Sequence, residues 1–110
     1  MLRVAFDPIY AHPLPEGHRF PMIKYEIIPE QLIYEGTITV NNLFKPGICA
    51  DDILLQTHTS AYLEKLNLQT LTESEQRKIG FPQSPELTLR EKIITQGTID
   101  CALYGIENGV

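Results

Sequence analysis

The sequence has 110 residues, a length that suits one domain or part of one, and 43% of it is apolar, enough to build a core. Its net charge of −5, from 14 acidic and 9 basic residues, argues against a nucleic-acid partner, because binding phosphates needs a basic face. No apolar run approaches the roughly 20 residues that span a bilayer. Asp7 arrives before a signal-type apolar region can form, so a cytoplasmic protein without a membrane partner is expected.

In chain order, Leu2 to Phe6 is short, apolar and partly β-branched and stops at Asp7-Pro8, which predicts an opening strand of a parallel sheet. Residues 7–21 hold Pro8, Pro13, Pro15 and Pro21, with Gly17, His12 and His18 among them, and predict a long loop. A loop of that length in a small domain is usually functional or disordered. From Met22 to Tyr34, Ile23, Ile27 and Tyr34 fall at helical spacing, with Pro29 expected to kink or split the helix. Thr37 to Val40 is β-branched and predicts a second strand, followed by a turn over Asn41 to Gly47.

Asp51-Asp52 predicts a short helix with acids at its positive end. Thr59 or Ser60 can cap another over Ala61 to Leu66. Thr72-Glu73-Ser74-Glu75 has capping-box spacing and opens a helix that Gly80 ends. Ser84-Pro85-Glu86 opens a last helix running to about Asn108-Gly109. Its second half, with Ile99, Cys101, Ala102, Leu103 and Ile106, has few polar positions and predicts burial between layers.

No chemistry follows from spacing alone. His12, His18 and His58 share no metal-type spacing, so the plainer reading is two loop histidines and one at a cap or core edge. The paired acids sit where helix N-termini attract negative charge. Cys49 and Cys101 form no C-x-x-C pair and are expected to be free. There is no phosphate loop and no G-x-S-x-G elbow.

Three blocks carry a resemblance. The run from His12 to Tyr25, His-Pro-Leu-Pro-Glu-Gly-His-Arg-Phe-Pro-Met-Ile-Lys-Tyr, with Ile28-Pro29-Glu30, resembles the first block of the bacterial and class IV histone deacetylase group. Ala50 to Leu54, leading through Thr57-His58 to Ala61 to Leu66, resembles the next. Ile79-Gly80-Phe81-Pro82, Ser84 to Leu87 and Gly97-Thr98-Ile99 resemble the third. Gln83 stands where an aromatic is common in that family, and Gln96 where a second glycine often precedes Gly97.

The resemblance implies a fold and an activity. The fold would be α/β, with residues 1–110 the N-terminal portion of a three-layer α/β/α arginase/deacetylase-like domain around a parallel central sheet. The activity would be zinc-dependent hydrolysis of the C–N amide bond of acetyl-lysine or another acetylated amine. The family's metal ligands and His-His pair lie downstream of the matched region, so no catalytic residue and no zinc are expected in these residues. Arg19 matches an arginine lining an acetate channel, and His18 and His12 would belong to the same active-site rim. This segment alone is expected to be inactive and to self-associate through exposed apolar surface. The alternative is a stand-alone, non-catalytic binding or regulatory domain.

Overall fold

The computed structural model describes residues 1–110. In chain order it contains β1 (Val4–Ala5), α1 (Lys24–Tyr34), β2 (Leu43–Phe44), α2 (Asp51–Leu54), α3 (Ser60–Leu68), α4 (Glu73–Ile79) and α5 (Pro85–Asn108). Two single 3-10 turns, Pro8–Tyr10 and Val40–Asn42, complete the inventory.

The helix boundaries follow from local chemistry. Thr59 accepts from the Tyr62 amide at 3.2 Å and starts α3. Thr72 and Glu75 close a reciprocal capping box at α4, the Thr72 amide reaching Glu75 at 3.1 Å and the Glu75 amide reaching Thr72 at 3.2 Å. Those bonds, with Lys65 Nζ at 3.1 Å, hold the Glu75 carboxyl below its ordinary range, the Thr72 backbone donor contributing most. Gly80 ends α4 in the left-handed conformation at φ 88°. Ser84 accepts from Leu87 at 3.0 Å, Pro85 fills the first position of α5, and Gly109 closes it at φ 73°. Pro29 lies inside α1 without splitting it, and Asp51-Asp52 open α2.

α5 is the organising element. Leu87, Arg90, Ile93 and Gly97 are buried along one stripe of it. α3 and α4 flank its N-terminal half, where Leu63, Leu71 and Leu87 form a small core. The strands lie against its second half, with Phe44 packed edge-on to Tyr104 at 5.3 Å between ring centroids. β1 and β2 pair in parallel, Val4 opposite Leu43 and Ala5 opposite Phe44. Gly97 admits the strand side to the helix. A Cβ there would lie 2.8 Å from the Tyr10 hydroxyl and 3.1 Å from Ala5 Cβ.

Three expectations are corrected. These residues do not form part of a three-layer α/β/α domain with a central sheet. Helix covers 55% of the chain, and the sheet is two short parallel strands. Strands of two residues cannot make a layer, so the long helix takes the central place. The second strand is not Thr37 to Val40 but Leu43–Phe44, within the stretch read as a turn. Residues 37–42 are diverted because the Asn42 side chain accepts from the Thr39 amide at 2.8 Å while the Asn42 amide donates to the Thr39 carbonyl at 3.0 Å, closing a 3-10 turn. The second half of α5 is also not enclosed: Leu103 is 53% and Ile106 82% exposed.

The molecule is consequently a slab of 44 × 35 × 17 Å. Its radius of gyration is 15.8 Å, against about 13 Å for a globular domain of this length. No helix is long and apolar enough to cross a membrane.

Candidate functional site

The proline-rich segment between β1 and α1 is a structured loop. Asp7 is buried and accepts from the Ile9 amide at 2.9 Å, which starts the 3-10 turn, and Lys45 Nζ lies 3.6 Å from it. Gly17, at φ 80°, supports a turn in which the His18 amide donates to the Pro15 carbonyl at 3.1 Å. His18 then uses both ring nitrogens. Its Nδ1 accepts from the Phe20 amide at 3.1 Å, which leaves Nε2 as the donor to the Gly80 carbonyl at 2.9 Å. The imidazole also tilts against Phe81 at 5.6 Å, and Phe20 meets Phe81 edge-on at 5.1 Å.

The other side of the loop rests on α5 through Arg90. This guanidinium is 3% exposed. Its Nε donates to the Tyr10 carbonyl at 2.8 Å, one terminal nitrogen to Glu91 at 2.6 Å, and the other faces Met22 Sδ at 3.6 Å. It also lies 5.0 Å from the Tyr25 ring centroid, while Lys24 Nζ lies over the Phe20 and Tyr25 rings. Burial, the largest influence, pushes the Tyr10 phenol up, with Cys101 and Asp7 adding to it and Arg90 opposing.

The three residues expected at the rim are placed unequally. His18 anchors the loop to the residue that ends α4. Arg19, next to it, is exposed and forms no ion pair with Glu16 or any other acid. His12 is partly buried, and no hydrogen bond or ring contact joins it to His18 or Arg19. His58 is exposed and stands apart, tilted on Tyr62 at 5.6 Å beside a cavity of about 270 Å³ between α3, α4 and α5.

Arg90 is the site residue that sequence reading passed over. It had a signal, because position 90 falls on the helical stripe of Leu87, Ile93 and Gly97, where an arginine must find inward partners.

No group of three His, Cys, Asp or Glu residues lies close enough to hold an ion, and His18 has both nitrogens committed. Cys49 is buried and its thiol is pushed up, by burial first and by Asp52 and Asp51 next.

No protein-family model matches the chain. It is 33% identical over 107 residues to an uncharacterized protein of Picosynechococcus sp.. The match takes in 97% of this chain and 36% of that protein, so the chain spans little more than a third of its relative's length.

Proposed function

We propose that residues 1–110 are the N-terminal portion of a cytoplasmic deacetylase that releases acetate from acetyl-lysine or another acetylated amine. The observation that carries this reading is the loop of residues 7–22. Its sequence resembles the deacetylase rim segment, it is fixed at several points, and it leaves one guanidinium at its crest with no acid to neutralise it. A guanidinium is permanently charged and offers a planar fork of donors that fits a carboxylate such as acetate. The length of the Picosynechococcus protein agrees with a longer polypeptide around this segment. Zinc is assigned to no residue here, and the hydrolytic groups belong, in this reading, to polypeptide beyond these residues. The segment alone would be inactive and would self-associate through its uncovered apolar faces.

Arg19 supplies the test within this chain. In the longer polypeptide containing it, Arg19→Ala is expected to lower kcat roughly tenfold, the equivalent of one charge-assisted hydrogen bond, with KM for the acetylated substrate little changed. Arg19→Lys should fall between, since an ammonium keeps the charge and loses the fork. A kcat unaffected by Arg19→Ala would remove Arg19 from the acetate path.

A further inference from the structure

We infer that Arg90 is a positioning residue, which clamps the two ends of the 7–22 loop onto α5 and thereby sets where Arg19 stands. The inference rests on the proposed function for its catalytic consequence, but the clamp itself stands on geometry. A buried cation is costly unless its donors are used, and an aliphatic side chain would pack the same stripe at less cost. What the guanidinium gains is directional. It reaches the Tyr10 carbonyl at the start of the loop at 2.8 Å and Met22 Sδ at its end at 3.6 Å, while its plane lies near the Tyr25 ring at 5.0 Å. Only Glu91, on the outer side of the helix, is an acid partner.

Between those two ends, the loop is tied by His18 to Gly80, the residue that ends α4. Arg19 sits between the His18 anchor and Phe20, whose ring stacks with Tyr25 at 6.4 Å. Its place is therefore transmitted through Tyr25 and Met22 from Arg90. Lysine cannot replace this arrangement, because one ammonium cannot fork between a carbonyl and a thioether while covering an aromatic face.

The experiment has two arms. In the first, hydrogen exchange is measured on this chain with Arg90→Lys, and with Arg90→Met as a second variant of similar length without charge. The His18, Phe20 and Met22 amides, which donate within the loop, are expected to exchange roughly tenfold faster or more, with α3 and α4 amides unchanged. Unchanged loop exchange, or loss of protection throughout the chain in both variants, would overturn a local clamp. In the second arm, kcat of the longer polypeptide is compared for Arg90→Lys, Arg19→Ala and the double variant. If Arg90 acts through Arg19, the double variant should be no slower than Arg19→Ala alone. Independent, multiplicative losses would overturn the positioning role. A wild-type polypeptide with no deacetylase activity would sink the proposed function, while the exchange arm still decides the clamp.

Discussion

Gln83 shows how a single side chain can stand in for a strand. Its Oε1 accepts from the Leu71 amide at 2.9 Å and its Nε2 donates to the Leu71 carbonyl at 3.2 Å, satisfying both backbone groups of a buried residue. Its own amide donates to the Gln76 side chain at 3.0 Å, which ties α4 to the approach of α5. An aromatic side chain at this place cannot make that pair of bonds. Replacing Gln83 with Leu leaves two backbone groups unpaired and is expected to cost about 1–3 kcal/mol, read from the urea midpoint. A change of only a few tenths would mean water replaces the amide without loss. This role was not legible from sequence, because nothing local to Gln83 points to a residue twelve positions earlier.

Among the elements, α5 carries the sharpest constraint. A glycine within an exposed helix is normally improved by alanine, by about 1 kcal/mol. Gly97 should behave in the opposite way. The added methyl meets the Tyr10 hydroxyl at 2.8 Å, Ala5 Cβ at 3.1 Å and Pro46 Cγ at 3.2 Å, and two of these neighbours are fixed by the β1 strand and a proline ring. Crowding of this kind costs about 1–3 kcal/mol, so Gly97→Ala is expected to lower the thermal midpoint. Gly105→Ala on the same helix meets only the terminal Val110 backbone and should be neutral or stabilising. Equal effects of the two changes would contradict the account of how the strands reach the helix.

The helix ends were legible because Thr59, Thr72, Gly80, Ser84 and Gly109 act on neighbours within four residues. The second strand was not. β-branched residues at Thr37 to Val40 favour extension, but the Asn42 side chain competes for the same backbone and wins locally, leaving pairing to Leu43 and Phe44. The segment of residues 7–21 was legible as a loop from its prolines, while its tie to α5 depends on a contact between residues 10 and 90 that no local pattern reports.

At the scale of the molecule, surface is the telling quantity. A folded monomer of 12.5 kDa should expose about 6,200 Å², and this chain exposes 7438 Å². The difference is of the size of one partner's share in a large interface. It accords with a slab 17 Å thick and with an α5 whose outer face is uncovered. The expectation of a central sheet failed at this scale because two strands of two residues give the helices no layer to cover.

The proposed function makes this segment part of an acetyl-amide hydrolase. The most direct measurement is acetate release from an acetyl-lysine peptide and from a simple N-acetylated amine, by a longer polypeptide that contains these residues. Acetate release is expected to stop on metal chelation and return with added zinc, with none from the 110 residues alone. Turnover by the 110-residue chain itself, or no acetate release from the longer polypeptide with zinc supplied, would contradict it.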